Sequence, residues 1–157
     1  MSTPFRITPL SVEPFAHLFE LTDAELRSRG MRRTIADAKP GFPCRISLED
    51  AGIGESVLLL PHTHHPVAGP YRASGPIFVR EGARPAAPAV NEVPDSVRTR
   101  FLSVRAYDSE GMMVASDATE GEKLEAVVTS LFADPRAAYL HVHNARAGCY
   151  SCRIDRA

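Results

Sequence analysis

The chain has 157 residues, 44% of them hydrophobic and 24% charged, and Lys plus Arg (18) nearly balances Asp plus Glu (19). That length suits one domain with a core of its own, and the composition argues against wholesale disorder. A net charge of -1 with no basic block argues against sequence-independent nucleic-acid binding, and no apolar run approaches the ~18–20 residues that span a bilayer.

"FRIT" near the start reads as a short strand, followed by "VEPFAHLFEL", a short amphipathic helix that opens at Pro14. "LTDAELRSRG" carries helix punctuation: Thr22 as N-cap, Glu25 completing a capping box, and Gly30 just past the end. "MRRTIAD" then looks extended. Within "GFPCRISLEDAGIGESVLLLPHTHHP", Cys44, Ile46 and Leu48 alternate with Arg45, Ser47 and Glu49, predicting a half-buried strand before the all-apolar run Val57–Leu60.

"SGPIFVRE" is a further strand, and residues 83–94, rich in Pro and Ala, predict a surface loop. "FLSVRAYDSEGMMVASDAT" predicts a hairpin in which Ser103, Arg105 and Tyr107 share one face. "EGEKLEAVVTSLFADP" is a helix, because Leu124, Val127, Val128 and Leu131 repeat at i, i+3, i+4, i+7. Two strands, "AAYLHVHN" and "CYSCRID", close the chain. About eight strands and three helical segments make this an α+β fold with a largely antiparallel sheet, in a single domain 1–157.

The closing hairpin concentrates the chemistry. Period-2 alternation puts Tyr139, His141 and His143 on one face and Leu140 and Val142 on the other. With a five-residue loop Asn144–Gly148, His143 faces Cys149, and Ser151 and Arg153 join them, while Cys152 and Ile154 join the apolar pair. A one-residue slip would exchange the two thiols. In an extended strand the sulfurs of the "CYSC" motif point to opposite faces, so it makes a weak metal or redox signature.

The segments "GFPCRISLEDAGIGESVLLL", "GPYRASGPIFVR", "FLSVRAYD" and "YLHVHNARAGCYSCRIDR", with the opening "FRITPLSVEPFAHLF", resemble the bacterial family of unknown function DUF1203. That resemblance implies a bacterial protein of about this size and assigns no catalytic role. The opening "MSTPFRITPL" has no signal-peptide pattern, so a cytoplasmic location and three reduced cysteines are expected.

Several readings of function stay open. A Cys149 thiol activated by His143 or His141, with Asn144 orienting the ring, would make a small-molecule enzyme. A non-catalytic module would hold a small anion through Arg105, Tyr107, Arg153 or Arg72. His62 and His64 with His141 and His143 would make a zinc-type centre. A structural or interaction role needs none of these. P-loop, Rossmann, serine-hydrolase and zincin motifs are absent, so no nucleotide cofactor is expected. Cys44 is expected in the core, and neither the substrate nor the oligomeric state can be read from the sequence.

Overall fold

A computed structural model describes residues 2–157. It contains strands β1 (Phe5–Thr8), β2 (Arg32–Ile35), β3 (Ser56–His65), β4 (Ala73–Arg80), β5 (Phe101–Tyr107), β6 (Met113–Glu120), β7 (Tyr139–Asn144) and β8 (Tyr150–Arg156). The helices are α1 (Glu13–Ala16), α2 (Asp23–Ser28), α3 (Asp95–Arg98) and α4 (Leu124–Phe132). The fold is α+β. A five-stranded sheet runs β1-β8-β7-β5-β6, a three-stranded sheet runs β2-β3-β4, and the strands in both pair antiparallel.

Each sheet is covered by helices for the reason its sequence pattern suggests. Leu124, Val128 and Leu131 of α4 pack on Leu102, Val104, Leu140, Val142, Cys152 and Ile154 of the larger sheet. Burying one such aliphatic side chain stabilises by roughly 1.5–3 kcal/mol, enough to make a nine-residue helix that would be marginal alone. Under the smaller sheet, Phe15, Leu18 and Leu26 from the first two helices and the turn between them meet Leu58, Leu60, Ile77 and Val79. The Thr22 hydroxyl accepts from the Glu25 N–H at 3.1 Å, so the expected N-cap forms.

The helix count is close to the three segments expected, with the four-residue α3 added. One expectation is corrected. The strand expected at Cys44–Leu48 is instead a tight turn, in which the Leu48 N–H reaches back to the Cys44 carbonyl at 3.0 Å and Leu48 adopts φ +54°. Cys44, Ile46 and Leu48 are all buried as expected, but into two different clusters, the first two below the small sheet and Leu48 in the large one. The turn also breaks the alternation, and Arg45 goes inward to 2% exposure.

Candidate functional site

The face of the large sheet opposite α4 carries the expected polar row. Arg105 pairs with His141, Ser103 with His143 and Tyr107 with Tyr139, and directly opposed residues share a face. Arg153 joins through His141 and stacks its guanidinium 4.3 Å from the Tyr139 ring centroid. The small sheet closes over this row from β3. A bulge between His62 and His65 lets neighbouring residues, which a regular pleat would send to opposite faces, both reach the large sheet. His64 stacks on Tyr150 with centroids 5.2 Å apart and meets His143 at 5.1 Å edge-on, while His65 sits 4.1 Å from Tyr107 and 5.0 Å from His141.

Hydrogen bonds fix two of these rings. The Tyr139 hydroxyl lies 2.6 Å from His65 Nε2, and His65 Nδ1–H donates to the Tyr71 carbonyl at 2.8 Å. His143 Nδ1–H donates to the Gly148 carbonyl at 2.9 Å. His64 Nδ1, His141 Nδ1 and His143 Nε2 are buried with no partner among the described residues. Burial is the main cause of their electrostatics: it lowers His64 to about 4, His141 to about 3 and His143 to about 4. Neighbouring cations, Arg105 for His64 and His143 and Arg153 for His141, push the same way. The imidazoles are therefore neutral near pH 7.

The hairpin register places Cys149 elsewhere. The Asn144 N–H bonds the Cys149 carbonyl at 2.9 Å, which leaves a loop of Ala145–Gly148 with Gly148 at φ +84°. The expected loop was one residue longer. His143 therefore faces Tyr150, not Cys149, and Tyr150 takes the position among the rings expected for the thiol. A register shift between Val142 and His143 leaves Ser151 unpaired, after which Cys152 pairs with Val142 and Ile154 with Leu140, two residues off the expected register but on the apolar face as expected. Asn144, opposite Leu102, alternates away from the histidines, and Cys149 lies just before the start of β8, away from the imidazoles in the row. Among the described residues, no imidazole bonds the Cys149 sulfur.

That sulfur has a different neighbour. Arg45 donates from Nη2 to Cys149 Sγ at 3.1 Å, from Nε to the Tyr150 carbonyl at 2.7 Å, and from Nη1 to the Pro43 carbonyl. Asn144 Nδ2 approaches the same sulfur at 3.8 Å. These groups border an open cavity of ≈ 380 Å³, walled by Phe78 and Phe101 and edged by the exposed Arg146. Arg100 also lines it, but Asp50 neutralises that guanidinium in a bidentate pair at 2.6 and 3.1 Å. Arg45 has no carboxylate partner among the described residues. Burial lowers its affinity for the proton, and the Cys149 sulfur partly restores it.

A family model described as "Protein of unknown function (DUF1203)" matches residues 41–156. The chain belongs to this family. The match covers both the histidine face and the Cys149 cavity of this DUF1203 member, and leaves out β1, α1, α2 and β2. No curated protein and no solved structure gives a match.

The sequence-predicted residues thus divide. His141, His143, Arg105, Tyr107 and Arg153 come together on one face, whereas Cys149 and Asn144 belong to the cavity. Arg72 is an exposed turn residue whose N–H bonds the Gly69 carbonyl. His62 rests edge-on against Phe15, 5.8 Å away, on the side of the helices. Among the described residues, no three His, Cys, Asp or Glu side chains are arranged to hold an ion. Sequence reasoning missed Arg45, His65 and Tyr150. The adjacent histidines of "HTHH" were the available signal for His65, whereas nothing in the local pattern marked Arg45 as inward-facing.

Proposed function

We propose that this protein takes a small organic anion into the Cys149 cavity, where Arg45 supplies the charge and the thiol the reactive atom. The observation that carries this reading is a buried guanidinium with no carboxylate partner, bonded to a half-buried sulfur at a cavity wall. A buried charge normally has a counter-charge, because the uncompensated ion costs several kcal/mol. An anion entering the cavity provides one. Phe78 and Phe101 give an apolar wall for its carbon skeleton, and Arg146 at the rim attracts it from solution.

In this reading the thiol acts as nucleophile without a histidine base. The bond that Arg45 donates is strongest when the sulfur carries charge, so the guanidinium does the activating work first assigned to His143. Asn144 is a positioning residue for the sulfur. A binding role without covalent chemistry uses the same groups and leaves the thiol unmodified.

The test compares two alkylating agents of the same shape. Iodoacetate, an anion, should modify Cys149 about tenfold faster relative to iodoacetamide than it does free cysteine, since a cationic cavity concentrates it. Peptide mapping assigns the site. A rate ratio equal to that of free cysteine removes the anion-binding reading.

A further inference from the structure

We propose that Cys149 is an oxidation-responsive thiol, converted by a hydroperoxide to a sulfenic acid that the cavity is built to hold. This rests on the cavity reading only in needing a reachable sulfur, and it needs no organic anion. Asn144 provides the independent observation. Its side chain borders the cavity at 8% exposure, and its Oδ1 is buried with no hydrogen-bond partner among the described residues, while its Nδ2 approaches the Cys149 sulfur at 3.8 Å. An orphaned buried acceptor costs about 1–3 kcal/mol and calls for a donor close to the sulfur. A thiolate has no proton to give it, and a thiol S–H is only a weak donor. A sulfenic acid has an O–H to give.

The step balances. The deprotonated sulfur attacks the terminal oxygen of a hydroperoxide, forming the S–O bond as the O–O bond breaks. The departing alkoxide takes one proton from solvent and leaves as the alcohol. Sulfur loses two electrons and the peroxide gains them. The new O–H donates to Asn144 Oδ1, and its oxygen accepts from the Arg45 guanidinium in place of the bare sulfur. Such a cationic, partly exposed setting is the kind in which thiols oxidise selectively.

The other two thiols cannot share this role. Cys44 and Cys152 are each 1% exposed. The Cys44 sulfur accepts backbone N–H bonds from Ser47 and Arg80, and burial pushes the Cys152 thiol up to about 12. With no second thiol at the cavity to form a disulfide, the sulfenic acid persists until an external thiol reduces it.

The experiment treats the native full-length chain with one equivalent of hydrogen peroxide or cumene hydroperoxide at pH 7, traps with dimedone and maps the adduct by mass spectrometry. The expected result is an adduct on the Cys149 peptide, absent in Cys149→Ser, at least tenfold above Cys44 and Cys152. When dimedone is added after a delay, Asn144→Ala should lose several-fold of the adduct that the wild type retains. No adduct at Cys149, or equal oxidation of all three thiols, overturns the proposal. So does an equal lifetime in Asn144→Ala. Because the alkylation ratio reads anion preference and dimedone reads oxidation, either result can fail while the other stands.

Discussion

The two polar regions of this molecule flank the same hairpin and differ in nearly every physical respect. The histidine face is crowded and closed: its rings stack across two sheets, burial keeps His64, His141 and His143 neutral, and one nitrogen of each has no partner among the described residues. The Cys149 cavity is open, and its buried guanidinium has no carboxylate partner among the described residues, although Glu120 also lines the cavity. The first region has more of the residue types that catalyse, yet the second has the access and the unbalanced charge that a ligand needs. A high density of imidazoles can serve simply as packing. A larger cavity of ≈ 590 Å³ beside the 83–94 loop makes the same point in reverse, since neither thiol nor imidazole lines it.

The largest expected effect breaks the comparison at the histidine face. His64, His141 and His143 titrate near 6.5 when unfolded and at about 4, 3 and 4 when folded. Between those values the unfolded chain binds more protons, so stability is fully present above pH 6.5 and is lost as pH falls toward 4 and below. Water around His64 and proton sharing among close neighbours hold the total to something on the order of 5 kcal/mol. Urea unfolding between pH 7 and pH 5, above most carboxylate titration, should show the loss beginning. In a His141→Phe/His143→Phe variant, which keeps the rings and removes the protons, the slope should fall by more than half. An unchanged slope would show that these imidazoles are not the buried neutral bases described above.

The next effect belongs to the cavity. Arg45→Met keeps the buried stem but leaves the Tyr150 and Pro43 carbonyls and the Cys149 sulfur without their donor. The buried Tyr150 carbonyl and the half-buried Pro43 carbonyl, left without a donor, should cost about 2–4 kcal/mol in denaturant unfolding, whereas Cys149→Ser should cost about 1 kcal/mol or less. The same Arg45→Met change should return the iodoacetate-to-iodoacetamide ratio at Cys149 to that of a free thiol. Equal stability of the two variants would mean that Arg45 is held in place by packing alone.

Much of this was legible in the sequence, for a definite reason. Alternation along β5 and β7 has a period that burial enforces, so Arg105, Tyr107, His141 and His143 could be assigned to one face. The i, i+3, i+4, i+7 repeat did the same for α4. Arg45 was not legible, because "CRISLE" alternates like a strand and the turn that replaces it needs only Leu48 at positive φ. The thiol's position depended on a loop one residue shorter than expected and on the compensating irregularity at Ser151. Together the two offsets move the pairing by two residues, which restores the face for Cys152 and Ile154 but not for Cys149. Pattern reading follows faces well. It follows register poorly wherever two irregularities compensate.

The smallest effect sharpens the comparison most. Arg105 lies on the histidine face and has no hydrogen-bonding or ionic partner among the described residues, which made it a natural anion ligand from sequence. If the cavity is where anions bind, Arg105→Ala should leave the alkylation ratio at Cys149 unchanged and stability at pH 7 within about 0.5 kcal/mol of wild type. It should still act on the histidines, because its charge disfavours protonation of His64 and His143. Removing that charge raises their folded proton affinity toward the unfolded value. The stability difference between pH 7 and pH 5 therefore shrinks slightly, in the direction opposite to a loss of structure. A variant that instead loses the iodoacetate preference at Cys149 would make Arg105 on the histidine face part of the anion site, and the crowded region would then be a site that opens.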